Sequence, residues 1–365
     1  MPLRSPPTGP TSLRTRRPAA TTLARVLGAA LGGTLWLVAL AAPAVAERPA
    51  LAPETKSWSV DGDFARKTAD ETPRTRARMN LSGAACAPTR PRFAACLIVN
   101  DEKKYAQFFS MKDRTLAPGA VIRLAAKDVK GDPDAEGAAF ADRFFYVIGS
   151  HGRPRHGDGA GRARFVVMRF PVDARGRPTF EVSEEEPTGV ETSTRLGEAM
   201  RAAAGLGAFY DQPLDHNGVN IEGIAVKDGR MHLGFRGPSV DGDAFILSVD
   251  ADAVFTSDEP LHPKVTRLPL GKTTGIRDLA AVRDGLVVLS GPVNEQAVPP
   301  ALWHWNEKTG ALAPLGTLMP AKGLPADAKA ETVLVLRDAP KQPLRVLILY
   351  DGAENGAPTE YRVKR

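Results

Sequence analysis

Ser82, Glu136, Glu222, Arg277 and Glu331 stand 54, 86, 55 and 54 residues apart, each near the start of a similar apolar stretch. If those stretches are repeats packed around an axis, the five positions form a ring. Three carboxylates in one ring repel: at about 4 Å and an effective dielectric near 20, each pair costs about 4 kcal/mol. Arg277, the N–H groups of Gly137 and Gly223, protonation or a bound cation would offset that cost. Oxygen-only ligands from several repeats suit Ca²⁺, which makes Glu136, Glu222 and Glu331 candidate metal ligands. The competing reading is structural. In it each glutamate latches onto a neighbouring repeat, and Arg277 supplies an internal ion pair.

A second column holds Asn100-Asp101, Ser150-His151, Arg236, Ser290 and Tyr350-Asp351, polar residues that close apolar stretches and are mostly followed by glycine. Such glycines permit tight turns and close approach of another group. Arg236, in "GFRGP", presents a planar fork suited to an anionic ligand, or equally to a glutamate of the first column. Arg236, His151, Asn220 and Asp351 are therefore the candidate ligand-binding residues. His151 and His156 flank "GRPR" and His216 sits in "LDHNG", but their spacing does not make them converge as metal ligands. "PLGKTTG" fails as a phosphate-binding loop because Thr266 stands where its first glycine belongs. The sequence has neither a G-x-S-x-G elbow nor H-E-x-x-H, so whether the protein is an enzyme stays open.

The elements that would position these columns recur with them. "NIEGIAVKDGRMHLGFRGP" from Asn220 is echoed from Asn80, Asp134, Gly275 and Lys329. Each copy reads as strand, tight turn and strand, with Asp-Gly between apolar runs as the hairpin signal. Third strands follow, as in "DAFILSVDA", and weaker fourth strands, as in "KVTRLPLG" and "PTFEVSEEE". Four short strands per unit of this length describe an all-β propeller of four-stranded antiparallel blades. Five blades are expected, with six the alternative if the 86-residue interval hides another. The last unit lacks a fourth strand, and "KSWSVDG", residues 56–62, is the expected ring-closing strand. Leu196, Met200 and Ala203 fall at helical spacing in a short insertion, residues 193–205, with Ser193 or Thr194 as N-cap.

Residues 1–46 read as a cleaved secretory signal: five arginines and no acid, an apolar run, then Ala44-Val45-Ala46. Export through the general or the twin-arginine route, to the periplasm or beyond, is expected. Residues 47–79 form an N-terminal segment and 80–365 the propeller. The chain carries 48 basic and 42 acidic side chains; without the five leader arginines the balance is 43 to 42. That near-neutrality gives no reason to expect nucleic-acid binding. No membrane span survives cleavage, and a monomer is expected. Cys86 and Cys96, the only cysteines, read as a disulfide stapling a hairpin.

The phrases "GVNIEGIAV…GRMHLGFRGP", "DAEGAAF…FYVIGSHGR" and "NLSGAAC…FAACLIVNDE" resemble the bacterial family catalogued as domain of unknown function 3616, over about Asn80 to Val363. The resemblance implies a propeller-like, often exported protein with no assigned activity. A looser similarity, in blade pattern only, runs to phytase-like and esterase-like propeller domains. The leading expectation is an exported propeller that binds a small ligand or protein partner at one mouth. The alternatives are a cation-dependent phosphoesterase using the axial glutamates and a structural envelope protein.

Overall fold

A computed structural model of the chain describes residues 48–64, 74–87, 94–154 and 161–365. The leader lies outside these residues, as does His156. Five small antiparallel sheets make a five-bladed β-propeller. The innermost strands are Leu81–Cys86, Ala135–Ala141, Asn220–Lys227, Thr274–Val282 and Lys329–Arg337. Each packs on the next, and the fifth packs back on the first. An innermost strand is covered on both faces by neighbouring blades. Asn220–Lys227 is accordingly buried at every residue but its last, which is why these strands read as continuous apolar runs rather than alternating ones.

Tight turns set the register of the inner hairpins. Asp228 (φ 50°) and Gly229 (φ 75°) carry the left-handed pair of a two-residue turn. Asp142 and Arg143 do the same without glycine, at 47° and 65°. In the first blade Cys86 and Cys96 are directly cross-strand and disulfide-bonded.

The 86-residue interval contains no sixth blade. Its extra length is a helix, Leu196–Ala202, followed by short 3₁₀ turns at Gly207–Phe209 and Leu214–His216. Leu196 and Met200 are buried in the core shared with Ile148, Ile224 and Leu233. The helix cap differs from expectation. Ser193 Oγ donates to the Val254 carbonyl and accepts from Arg195 N, so the strand Glu191–Ser193 ends there and Arg195 occupies the cap without a side-chain bond.

That strand, not "PTFEVSEEE", is the fourth of the second blade. Ser183 Oγ accepts from the N–H groups of Glu185 and Glu186, and Ser183 O accepts from Arg123 N of the first blade. The local turn competes with a ladder and wins. Before the first blade, Arg74–Met79 forms a short helix within the N-terminal segment.

The fifth sheet has three strands, and the N-terminal segment crosses its outer edge. Ala50–Leu51 pairs in parallel with Leu312–Leu318 of the fourth blade. Pro53 bridges Tyr361 of the fifth, and Glu54 N donates to Glu360 O at 2.8 Å. Ser59–Val60 then pairs in parallel with Thr115–Arg123 of the first. The expected strand near 56–62 therefore extends the first blade, while residues just before it cover the fifth.

Candidate functional site at one mouth of the ring

Every member of the first column sits at a β-bulge. Cross-strand register slips between Leu81 and Gly83, Ala135 and Gly137, Ile221 and Gly223, Ile276 and Asp278, and Ala330 and Thr332. Ser82, Glu136, Glu222, Arg277 and Glu331 are the unpaired residues at those slips. A bulge frees a side chain from strict alternation and re-aims it. Here all five side chains line one cavity of about 440 Å³, together with Asp101, Arg236 and Asp351 from the second column and Asn220 from the start of its inner strand. His151 does not line it. That histidine is fully buried, with Nδ1 2.9 Å from the Gly149 carbonyl, and desolvation pushes its pKa down to about 4.

The residue after each bulge explains how the blades come so close. A Cβ on Gly83 would lie 2.6 Å from the Glu136 carbonyl oxygen, and one on Gly137 would lie 2.8 Å from that of Glu222. In the fourth and fifth blades the same position carries a bonding side chain. Asp278 Oδ2 accepts from Val333 N of the fifth blade at 2.7 Å, and Thr332 Oγ1 donates to the Ser82 carbonyl of the first at 3.1 Å. Side chains one residue along from the column thus latch neighbouring blades. Only the alternation break marks them in sequence.

The glutamates form a lattice with two arginines. Arg236 Nη1 donates to Glu222 Oε1 at 2.7 Å, and Arg236 Nε donates to the Val293 carbonyl at 2.6 Å. Arg277 Nε donates to Glu331 Oε2 at 2.7 Å, and Arg277 Nη2 pairs with Glu331 Oε1. Arg277 Nε also lies 2.9 Å from Glu222 Oε2, an ionic contact without a hydrogen bond. Burial pulls the Arg277 pKa down to about 10, which leaves it charged at neutral pH. Arg277 thus contacts glutamates of both neighbouring blades. Among the described residues no group of three or more His, Cys, Asp or Glu is disposed to hold a metal ion.

Three lining carboxylates, Asp101, Glu136 and Asp351, have no ion pair among the described residues. Burial pushes all three up. Asp101 reaches about 8, helped by Asp134, Asp351 and Glu102. Glu136 rises well above the usual range, with Asp134 and Glu222 adding to desolvation. Asp351 rises less, because the Gly352 N–H and Arg277 counter the desolvation. Asp134 pairs with Arg164 at 3.2 Å and accepts from Ser150 Oγ. Asn220 is 8 % exposed, lines the cavity, and its Oδ1 has no hydrogen-bond partner. Neither Asp101 nor Asp134 is among the ligand-binding residues expected from sequence. Asp101 stands in the second column beside Asn100, and Asp134 lies two residues before Glu136 at the opening of its repeat.

Beneath this mouth the axis narrows to an apolar waist lined by Ala84, Ala138, Ala225, Ala280 and Val333. The far mouth is wider, about 830 Å³, but Arg114 and Arg345 there pair with Glu360, and Lys227 pairs with Glu307.

Fold and site together define a five-bladed propeller with a charged, bulge-framed axial mouth. The chain belongs to the family described as protein of unknown function DUF3616, whose model matches residues 162–362; the copies at Asn80 and Asp134 precede that match. No curated protein matches the sequence. Similar solved structures include an exo-β-1,3-galactanase from Phanerochaete chrysosporium, at 9% identity and TM-score 0.43, over 85% of this chain and 63% of that one. This chain therefore spans less than two thirds of that enzyme's length. A family 117 glycoside hydrolase from Zobellia galactanivorans is also similar, at 9% identity and TM-score 0.43, over 86% and 90% of the two chains. The major allergen Mala s 1 of Malassezia sympodialis follows at 11% and 0.37, over 78% of each.

Proposed function

We propose that the protein binds a small polar ligand at the mouth framed by the five bulges, outside the cytoplasm. The observation that carries this reading is Asn220. A buried amide oxygen that faces a cavity with no donor costs free energy unless a ligand supplies one, and Asp101, Glu136 and Asp351 face the same space unpaired. The disulfide supports an oxidising compartment, and no described helix is long and apolar enough to cross a membrane. The phosphoesterase alternative has less support, because Glu222 and Glu331 are both committed to Arg277.

Thermal shift and calorimetry with small amines, sugars, carboxylates and phosphates test the reading. At least one class should bind and raise the melting temperature, and Asn220→Ala and Glu136→Gln should weaken that binding. Glu136→Gln separates ligand binding from a purely structural role. A latch would destabilise when neutralised, whereas an unpaired buried carboxylate should leave the protein as stable or more so. A panel in which nothing binds, with Glu136→Gln less stable than the parent, overturns the proposal.

A further inference from the structure

The chemistry of the ligand follows from which groups at the mouth are already used; this step rests on the ligand-binding reading above. The cations of the lining are committed. Arg277 holds Glu222 and Glu331, Arg236 holds Glu222 and the Val293 carbonyl, and Arg164 holds Asp134. Arg153 pairs with Asp211, and Lys329 with Glu295. What is left over is almost entirely acceptor. Asp101 Oδ1 and Asn220 Oδ1 are buried without a donor, and Glu136 and Asp351 have no cationic partner among the described residues. Among the described residues Arg153 Nε is the one fully buried donor of the lining without a partner.

An anion entering this space would meet spent arginines and surplus carboxylates. A cation with N–H groups would meet acceptors on several sides. Among the described residues the lining contains no aromatic side chain, so they offer no cation–π cage of the kind that selects quaternary ammonium groups. A sugar likewise finds no ring to stack on. We infer that the mouth recognises a small organic cation bearing N–H donors, a primary or secondary amine or a guanidine, seated against Glu136, Asp101 and Asn220. The cavity, about 440 Å³, holds a molecule of short-polyamine or amino-acid size.

Protonation supplies an independent signature. The groups facing Glu136 are Asp134, Glu222, Asp101 and Arg236, and those facing Asp101 are Asp134, Asp351 and Glu102. Desolvation and these acidic neighbours favour the protonated form of both carboxyls. A docked cation favours their ionised form and so expels protons.

The test is titration calorimetry of the purified protein with putrescine and agmatine, with choline, with galactose, and with phosphate and citrate. Putrescine or agmatine should bind at least tenfold more tightly than choline. Its heat should change between buffers of different ionisation enthalpy, reporting proton release. Glu136→Gln should weaken it at least tenfold without lowering the melting temperature. Choline equal to putrescine would overturn the N–H requirement. Galactose or an anion binding while the amines stay silent would overturn the cation and leave the ligand-binding site standing. Silence across the whole panel would remove both.

Discussion

Asp101 carries a pH signature that separates the mouth from the rest of the surface. Its folded pKa, near 8, lies above the ordinary value of 3.8, so the folded protein keeps a proton that the unfolded chain releases. The stability linked to that proton is full below about pH 4 and is lost as pH rises towards 8. Surface acids such as Asp173 and Asp228, held low by Arg177 and by Lys308 and Lys227, work in the opposite sense, losing stability as pH falls. Comparing Asp101→Asn with the parent cancels those contributions. The variant's melting temperature should gain on the parent's by several degrees between pH 5 and pH 8. Parallel curves across that range would contradict the assignment. At this scale the residue types were legible in sequence and their partners were not. Glu222, Arg277 and Glu331 could be aligned in a column, but whether a carboxylate meets a cation, a metal or empty space depends on side-chain direction, which the bulges set.

The five inner strands each carry an extra residue at the same level. The following position then determines how neighbouring blades join, by bare backbone at Gly83, Gly137 and Gly223 and by side chains at Asp278 and Thr332. Asp278 is 1 % exposed and accepts from Leu279 N and Val333 N, both at 2.7 Å. Asp278→Ala would leave two buried N–H groups without acceptors, at about 1–3 kcal/mol each. Denaturant unfolding should show a loss of about 2–5 kcal/mol, larger than for Glu136→Gln. A loss under 1 kcal/mol would mean that the latch contributes little. The hairpins were legible because an Asp-Gly or Asp-Arg turn between apolar runs is a local signal. "PTFEVSEEE" misled for a related reason: its apolar–polar alternation is local, whereas the edge it meets, and the turn Ser183 makes, are not visible from it.

Over the whole molecule, the count of five blades was legible because the period is kept across three of the four intervals, with the helix and 3₁₀ turns before Asn220 lengthening the other. How the ring closes was less so, since edge pairing depends on distant chain. Residues 50–60 touch three blades in succession, and Trp58 Nε1 donates to Glu360 Oε2 at 3.0 Å. Glu360 also meets Arg114 at 2.7 Å and Arg345 at 2.6 Å, so one buried carboxylate gathers the first blade, the fifth and the segment between them. Removing residues up to Asp61 should therefore expose the fifth blade's outer edge and strand Glu360 with fewer partners. The truncated protein should melt well below the parent and associate in solution through the bare edge. Unchanged melting and a monomeric profile by light scattering would show that the ring holds without the segment.

The bulges also bear on how such a mouth can change. A residue inside a ladder is tied to its cross-strand partner, and replacing it disturbs the sheet. A residue at a bulge has no such partner, so its side chain is decoupled from strand pairing. The chain records this freedom: the five equivalent positions hold serine, arginine and glutamate, while the position before each and the second position after it are apolar in all five strands. Blade number and core are fixed by one set of positions and mouth chemistry by another. A propeller of this kind can therefore trade one recognition surface for another while its scaffold stays intact.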